Sequence, residues 1–439
     1  MGTTYKASIV IPVFNKWELT RLCLKSLAAT LPAEQCEIIV IDNASTDETK
    51  DACPLLGSKL FGNSFVYHRC NNNSNFGPAS NLGATLARGE YIIFLNNDTV
   101  MRPGWYEPLL NDFIIYSNIF ATGPILSYPD AGPLGEMVQH LGVFITLTYH
   151  VGHLYEHLPI ESPFIRKRRF FQCITAACMM IPKALFIKHG GFNENYSNGF
   201  EDIDLCARLW REGLRATINP KSRLIHHCSQ TPGRHAHEKE NSLLLSTTTL
   251  QYLSPDIHFH LQKDGLSLEV TAWGTLAVKH TEEIPEKLAC LQNDATTQEL
   301  SSALIRYPYW LKGYSALAEL YEKRGDTQMA SAVHNAVVRL CATPEYLLPQ
   351  YRFQIANGQH VAAEETFKDI LSYCKDFEYY QSDIASLKAW NNTLGLEDIV
   401  AQYQKWESTS EHFHTTYYLP FLKAIQDIAK NYPSPLPKD

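Results

Sequence analysis

The residues most suited to chemistry follow a short apolar run at positions 91–95. Asn96, Asn97 and Asp98 stand directly after this run, where the packing of a buried strand requires no polar side chain. One carboxylate and two amides offer oxygen atoms of the kind that hard divalent cations prefer. Ligands of open α/β sheets bind outside the carboxyl ends of the strands. The pattern indicates either a ligand site at a strand end or a polar turn.

A second acidic cluster opens a helix about a hundred residues later. Glu201, Asp202 and Asp204 fall in its first turn, after the glycines at 190–191 and before a stop at Gly213. Acids in a first turn also interact favourably with the helix dipole, by about 0.3–1 kcal/mol, which is a purely structural explanation. Three acids within four positions favour a functional role over that explanation.

Composition describes a globular protein of more than one domain. The 439 residues are 45% hydrophobic and 19% charged, with a net charge of −8, which argues against nucleic acid as a partner. The sequence shows no membrane-spanning run and no signal-peptide pattern. Its eleven cysteines indicate free thiols in a reducing compartment. We therefore expect a cytoplasmic protein, while the basic and aromatic cluster at 166–171 leaves peripheral contact with the inner face of a membrane open.

The first 110 residues alternate strand and helix patterns. Apolar runs at 7–13, 37–41, 64–69 and 91–95 predict four strands, with helices between them. Ser45 and Glu48 have the spacing of a capping box, and Pro78 suits the first turn of a helix that runs to Arg88. This alternation predicts right-handed crossovers and a mostly parallel sheet. Polar residues at the strand ends would then share one rim.

The middle of the chain is less regular. Strands are predicted near 120–126, 138–146 and 171–181, and a helix from Lys183 ends at the glycines of 190–191. Residues 215–219 and 223–227 have the pattern of two closing strands. Residues 254–277 are weakly β in character.

The C-terminal third has the pattern of long helices in a tetratricopeptide-like array. Gly325 and Gly358 are 33 residues apart, as are Ala330 and Ala363, a period typical of this repeat. We predict domains at 1–250 and 296–439, with 251–295 as a linker. The residues predicted to form the core of the helical domain are Tyr314, Leu317, Tyr321, Ala330, Phe367 and Ile370.

Taken together, these residues resemble the family 2 inverting glycosyltransferases, and most closely a rhamnosyltransferase-like branch. The resemblance covers roughly residues 5–245 in the order of the family, and the C-terminal third lies outside it. The matching segments are SIVIPVFN (8–15), IVIDNASTD (39–47), NFG (75–77) with Asn81, FLNNDT (94–99), GGFNE (190–194) and EDIDL (201–205).

The resemblance implies an α/β fold of the GT-A type, a Rossmann-like nucleotide-diphospho-sugar transferase domain, followed here by an all-α helical-repeat domain. It also implies transfer of a hexosyl or deoxyhexosyl group from a nucleotide-diphosphate donor to a hydroxyl acceptor by single displacement. Asp202 takes the role of general base, worth about 10²–10⁴ in rate. Glu201 and Asp204 would orient it or meet the acceptor.

The family's metal motif is Asn96-Asn97-Asp98 in this chain, with an asparagine where the first acid usually stands. Asp98 would be the charged ligand of Mn²⁺ or Mg²⁺, and Asn96 would join it. A histidine from a later strand often completes such a site, and His226 is the candidate, with His227 as the alternate. Strand alternation sends these two side chains to opposite faces.

The remaining positions of the motif are expected to bind the nucleotide sugar. Asp42 would accept a hydrogen bond from the base, and Gly77 would let the backbone approach the nucleotide closely. The full set of donor-binding candidates is Pro12, Phe14, Asn15, Asp42, Asn75, Gly77, Asn97 and Asp98.

Two other function classes remain for comparison. A catalytically weak or inactive scaffold would recruit protein partners through the helical repeats, and Asn96 in place of an acid favours it slightly. A nucleotidyltransferase would need a glycine-rich phosphate loop near the N-terminus, which residues 13–16 do not form. The acceptor, whether a glycan, a lipid-linked glycan or a protein, is left open by the sequence.

Overall fold

The computed structural model describes residues 5–32, 35–228, 236–285, 288 and 295–431. These residues form two compact units. The first contains the described residues up to 131 and residues 135–257, and the second contains residues 132–134 and those from 258 onward.

The first unit is an α/β unit. Its strands are β1 (Ala7–Val13), β2 (Cys36–Asp42), β3 (Phe65–Arg69), β4 (Tyr91–Leu95), β5 (Thr99–Met101), β6 (Ile119–Ser127), β7 (Val138–His140), β8 (Val143–Ile145), β9 (Val151–His153), β10 (Arg169–Phe171), β11 (Cys178–Pro182) and β12 (Arg215–His226). Its helices are α1 (Trp17–Thr30), α2 (Thr49–Phe61), α3 (Phe76–Leu86), α4 (Tyr106–Ile115), α5 (Lys183–Lys188), α6 (Glu201–Trp210) and α7 (Glu238–Thr248).

The main sheet runs in the order β10-β12-β6-β11-β4-β1-β2-β3, with β5 beside β12 and β7 beside β6. The four strands of the first hundred residues are parallel, as their alternation with helices predicts. That prediction concerns the first 110 residues and does not extend to the later strands, since β11 enters antiparallel between β4 and β6, while β12 pairs parallel with β6. Strands β10, β5 and β7 also pair antiparallel. The sheet is therefore mixed.

The core of this unit explains why the strand ends converge. Every residue of β1 and β2 is buried, as expected for central parallel strands covered on both faces. Helix α1 packs Cys23, Leu24 and Leu27 into the same core. Because β1, β2 and β4 run in one direction, residues that follow them emerge at one edge of the sheet.

Two local predictions differ from the structure. Helix α2 begins at Thr49, and its first turn carries no side-chain cap, so the predicted capping box of Ser45 and Glu48 is wrong. The Ser45 hydroxyl instead accepts a hydrogen bond from the backbone N–H of Asn15. The two strands predicted at 215–219 and 223–227 form one strand, β12, with a break in its pairing register between Asn219 and Arg223.

The second unit is mainly helical, with one hairpin of β13 (Leu266–Val270) and β14 (Leu276–His280). Helix α8 (Ile257–Gln262) begins at the boundary between the units. The later helices are α9 (Thr297–Arg306), α10 (Leu311–Lys323), α11 (Thr327–Leu340), α12 (Pro344–Ala356), α13 (His360–Leu371), α14 (Phe377–Thr393), α15 (Glu397–Ser408), α16 (Ser410–Phe413) and α17 (Leu419–Asn431).

The hairpin packs on the helices of its own unit. Trp273, at its turn, is 3% exposed and lies edge-on to Phe413 and Phe421, with ring centroids 5.2 and 5.0 Å away. Its indole N–H donates to Glu345 at 2.9 Å, and Trp406 donates to the carbonyl of Ala272 at 2.7 Å. The segment predicted as a linker therefore contributes to the second unit.

Consecutive helices of the second unit pack against each other. Gly325, Gly358 and Gly395 follow α10, α12 and α14 and have φ values of 72°, 70° and 70°, which a residue with a side chain rarely adopts. Of the predicted core residues, Tyr314, Leu317, Ala330, Phe367 and Ile370 are buried, and Tyr321 is half-buried against them. Membership of the tetratricopeptide class stays a prediction.

The arginines of the basic cluster at 166–171 form ion pairs and hydrogen bonds with other residues of the first unit. Arg166 pairs with Glu161, Arg168 with Asp112 at 2.8 Å, and buried Arg169 donates to a backbone carbonyl at 2.7 Å. Among the described helices, none combines the length and apolar character needed to cross a bilayer. Membrane contact through this cluster stays a prediction.

Candidate active site

A cleft of about 420 Å³ opens at the carboxyl ends of β1, β2 and β4 and extends towards α6, α7 and β12. This is the edge of the sheet at which ligands of open α/β folds bind. The predicted site residues that line the cleft are Pro12, Phe14, Asn75, Asn96, Asn97, Asp98, Glu201, Asp202 and His226. Residues from both acidic clusters thus face one cavity.

The tip of β4 meets the end of β12 in this cleft. His226 Nε2 lies 3.1 Å from Asp98 Oδ1 and 3.2 Å from Asn96 Nδ2. Asp98 is 8% exposed and His226 is 3% exposed. Asn97 turns aside and donates to the hydroxyl of Thr20 on α1 at 2.8 Å. The three residues predicted to hold a cation are therefore neighbours, although His226 lies 130 residues from Asn96 in sequence.

The pairing of β12 explains why His226 and not His227 reaches this point. His226 lies opposite Thr99 of β5, one residue after Asp98. The backbone N–H of His227 donates to the carbonyl of Asp98 at 2.9 Å, and the His227 side chain does not line the cleft. Between the two histidines that sequence analysis left open, the geometry favours His226.

The side chains of Asn96, Asp98 and His226 would supply only some of the ligands of a bound cation. They comprise one carboxylate, one amide and one imidazole, and the described residues contain no group of three or more acidic, cysteine or histidine side chains at metal-binding spacing. Mg²⁺ and similar cations are commonly held by one or two carboxylates together with substrate phosphates. Such a site suits a diphosphate ligand that completes the coordination.

Helix α6 presents its first two acids to the cleft. Asp202 is half-buried, and its two oxygens accept backbone N–H groups of Ala176, at 3.0 Å, and Ile203, at 2.9 Å. Glu201 is 7% exposed and accepts from the N–H of Gly199 at 2.6 Å. The carboxylate of Asp202 is thus fixed in direction by two backbone donors while its edge faces the cavity.

The loop before α6 has an unusual backbone that other elements hold in place. Asn198, Gly199 and Phe200 have φ values of 53°, 136° and 70°, and such conformations persist only where the surroundings enforce them. Asn198 accepts from the N–H of Phe76 at 2.9 Å. From the other side, Asn241 of α7 accepts from Ser197 N at 3.1 Å and donates to the carbonyls of Ser197 and Gly199 at 3.0 and 3.1 Å.

This arrangement leads to a prediction for Asn241. The Asn241→Ala variant leaves three backbone groups of the loop without their partner, and we expect a loss of about 1–3 kcal/mol in the free energy of unfolding. The matched control is Ser242→Ala, an exposed change on the same helix, expected to stay within about 0.5 kcal/mol of the parent. Urea denaturation followed by tryptophan fluorescence measures both, and equal midpoints would contradict the role of Asn241.

Asp204 lies apart from the cleft. It is 1% exposed, pairs with Arg208 at 2.9 Å, and accepts from the hydroxyl of Thr249 at 3.1 Å. Arg208 in turn donates to the carbonyl of Gly191 at 2.7 Å. Sequence analysis predicts that Asp204 orients the general base Asp202 or contacts the acceptor. Its position does not fit either role, because the helix directs Asp204 into the core of the unit.

Asp42 and Asn15 are also placed behind the cleft wall. Asp42 is fully buried and accepts from Tyr67 at 2.6 Å, Arg69 at 2.5 Å and the N–H of Ser45 at 2.8 Å. Burial is the main effect that raises the pKa of Tyr67, and the hydrogen bond to Asp42 raises it further. Asn15 accepts from the backbone N–H of Thr46 at 2.7 Å. Both side chains shape the loops at the ends of β1 and β2.

The other nucleotide candidates divide between the cleft and the core. Pro12, Phe14 and Asn75 line the cleft. Gly77 does not, and a Cβ there would lie 3.7 Å from the carbonyl of Asn193, an ordinary packing distance. The close approach of backbone and nucleotide predicted for Gly77 is therefore not required by its surroundings.

Several cleft residues escaped sequence analysis, among them Asn43, Gln139 and His153. Asn43 donates to the carbonyl of Asn75 at 3.2 Å, and its position next to the motif residue Asp42 is the one sequence feature that could have revealed it. Behind His153, the ring of His140 lies 3.2 Å away. Burial, with smaller effects of His153 and His226, lowers the pKa of His140 well below its usual value, so this ring is neutral at pH 7.

Comparison with known proteins identifies the first unit. Residues 8–187 match the model of glycosyl transferase family 2, and residues 156–231 match a model described as the N-terminal domain of galactosyltransferase. Residues 8–187 form a family 2 glycosyltransferase domain. The family resemblance expected from the sequence motifs is thereby confirmed.

Curated relatives of this glycosyltransferase domain act in different settings. The O-antigen biosynthesis protein RfbC of Myxococcus xanthus is 30% identical over 51% of this chain and 17% of its own length. The N-acetylglucosaminyl-diphospho-decaprenol L-rhamnosyltransferase of Mycobacterium tuberculosis is 24% identical over 50% of this chain and 77% of its own length. The chain spans about a sixth of RfbC, so the similarity concerns the domain.

Solved structures to which the chain is similar include GalNAc-T7 with UDP, GalNAc and Mn²⁺. That structure shares 19% identity with a TM-score of 0.43, over 52% of this chain and 44% of its own. Staphylococcus aureus TarS shares 16% identity with a TM-score of 0.40, over 75% of this chain and 52% of its own.

Proposed function

We propose that the protein is an inverting glycosyltransferase that moves a sugar from a nucleotide-diphosphate donor to a hydroxyl acceptor. The observation that carries this proposal is the convergence of Asn96, Asp98 and His226 with Glu201 and Asp202 on one cleft of a family 2 domain. One side of the cleft has side chains that would hold a cation, which would in turn bind a diphosphate. The other side offers a carboxylate with a fixed direction.

The proposed role of each residue follows from the chemistry of a single displacement. The acceptor oxygen attacks the anomeric carbon, the bond from that carbon to the diphosphate oxygen breaks, and the bonding electron pair leaves with the nucleoside diphosphate. The acceptor proton passes to Asp202, whose hydrogen bonds from Ala176 and Ile203 hold the carboxylate towards the cleft. Glu201 fixes the preceding loop through Gly199.

Asp98, Asn96 and His226 would hold Mn²⁺ or Mg²⁺ together with oxygen atoms of the nucleotide-diphosphate donor. The bound cation would supply Lewis-acid stabilisation of the charge that develops on the leaving diphosphate. Pro12, Phe14 and Asn75 also line the cleft, and the base and ribose would lie against them.

The alternative is a scaffold without useful catalysis, favoured only by Asn96 in place of an acid. Release of nucleoside diphosphate from a set of nucleotide sugars by the purified protein separates the two. Water replaces the acceptor in this assay, so an enzyme releases product slowly from at least one donor in the presence of Mn²⁺. No release from any donor, with the Asp202→Asn variant indistinguishable from the parent, would favour the scaffold.

The helical unit is proposed to bind the acceptor or a protein partner, because every residue that lines the cleft belongs to the first unit. We expect a chain that ends at Ile257 to keep donor hydrolysis within a few-fold and to lose transfer to the native acceptor. Asp256 must be retained, since it accepts from Ile145 N and Gln172 at 2.7 Å. Full transfer by this variant would show that the helices serve assembly instead.

The cut position itself is testable. A cut between Thr296 and Ser302, just after the predicted linker, would keep the hairpin of β13 and β14 but remove later helices that pack on it. Trp273 of that hairpin is buried against Phe413 and Phe421. A chain that ends at residue 296 is therefore expected to aggregate more readily than one that ends at 257, as light scattering would measure.

A further inference from the structure

Both hydrogen-bonding groups of one buried glutamine are directed at His226. Gln139, on β7, is 3% exposed. Its Oε1 lies 2.5 Å from His226 Nδ1, and its Nε2 donates to the backbone carbonyl of His226 at 3.1 Å. The backbone carbonyl of Gln139 also lies 3.2 Å from Nδ1 of His153, another residue of the cleft. This single position therefore contacts two cleft histidines.

The second of these bonds decides the orientation of the amide. Exchange of the oxygen and nitrogen of Gln139 would place two oxygens against each other at the carbonyl of His226. With Oε1 facing the ring, Nδ1 must carry a hydrogen to make the 2.5 Å contact. The ring nitrogen directed at Asp98 and Asn96 is then Nε2, and its lone pair is the one that can bind a cation.

We propose that Gln139 is a positioning residue of the cation site, which fixes the ring direction and the tautomer of His226 so that Nε2 faces the cavity beside Asp98. This inference rests on the proposed function, since His226 must be a ligand for its orientation to matter. Partners of this kind commonly change metal affinity by about 10–100-fold. Gln139 itself need not touch the cation.

The test measures Mn²⁺ binding to the full chain by electron paramagnetic resonance, without nucleotide and without turnover. Gln139→Met keeps the length of the side chain and removes both hydrogen bonds, so the dissociation constant is expected to rise about 10-fold or more. Gln139→Glu keeps the acceptor at Nδ1 but sets an oxygen against the carbonyl of His226, so its dissociation constant is expected to lie between those of the parent and of Gln139→Met. The matched control is Gln172→Met, since Gln172 is equally buried and bonds to Ser254 and Asp256, outside the cleft lining.

A double-mutant comparison distinguishes positioning from general damage. If Gln139 acts only through His226, adding Gln139→Met to His226→Ala should not weaken Mn²⁺ binding further. Equal weakening in both backgrounds, or parent-like affinity of Gln139→Met, would overturn the inference and leave the proposed function intact. Failure of His226→Ala to weaken Mn²⁺ binding would instead overturn the inference together with the proposed cation site.

Discussion

Replacement of Asp202 by asparagine is expected to lower the rate of the chemical step by at least about a hundredfold. The amide is nearly isosteric, but its single oxygen can accept only one of the backbone N–H groups of Ala176 and Ile203, and the amide cannot take the acceptor proton. Affinity for the donor should change little, because Asp202 is not among the residues proposed to bind the nucleotide or the cation. Single-turnover release of nucleoside diphosphate and calorimetric titration with donor measure the two quantities separately.

Asp204→Asn is the matched control for this experiment. It makes the same chemical change in the same helical turn, but Asp204 is buried against Arg208 and Thr249 and lies outside the cleft lining. We expect lower stability with a rate within a few-fold of the parent. If Asp202→Asn retained the parent rate while Asp204→Asn lost it, the assignment of the base would be wrong.

Replacement of Asp98 by asparagine is expected to remove the dependence of donor binding on Mn²⁺. Asp98 supplies the one carboxylate of the proposed cation site, 3.1 Å from His226 Nε2, and loss of a direct ligand should cost at least the 10–100-fold typical of outer-shell partners. The fold should survive because asparagine has nearly the same size in this largely buried position. Calorimetry of donor binding with Mn²⁺ and with a chelator measures the effect.

A control for Asp98→Asn is Asn97→Ala. Asn97 neighbours Asp98 and lines the same cleft, but its amide is bonded to Thr20. We expect this variant to keep the Mn²⁺ dependence that Asp98→Asn loses. Unchanged donor affinity of Asp98→Asn in the presence of Mn²⁺ would exclude Asp98 as the charged ligand.

The parts of the fold that sequence analysis predicts are those set by local periodicity. Strands β1, β2 and β4 are short apolar runs bounded by polar residues, and their parallel alignment brings Asp98 and Asn43 to one rim. The antiparallel entry of β11 has no local pattern, because it depends on which neighbours the strand meets. The capping box fails for the same reason, since the hydroxyl of Ser45 bonds to Asn15, 30 residues away.

The residues of the site can likewise be divided into those that the sequence reveals and those whose role depends on distant contacts. Asp98 is recognisable because polar side chains follow an apolar strand, Asp202 because three acids open a helix, and His226 through the family resemblance. Gln139 is not recognisable, since its partner lies 87 residues away in sequence and β7 is only three residues long. Asp204 shows the converse, because an acid in the right motif can be turned into the core by the helix that carries it.

The central claim, that this cleft binds a nucleotide-diphospho-sugar with a divalent cation, is tested most directly by one binding experiment. A panel of nucleotide sugars is titrated into the purified full chain by calorimetry, with Mn²⁺ and with a chelator in its place. We expect at least one donor to bind in the presence of Mn²⁺ and to bind at least about tenfold more weakly without it. Absence of binding by every donor, or affinity that is the same with Mn²⁺ and with the chelator, would contradict the account.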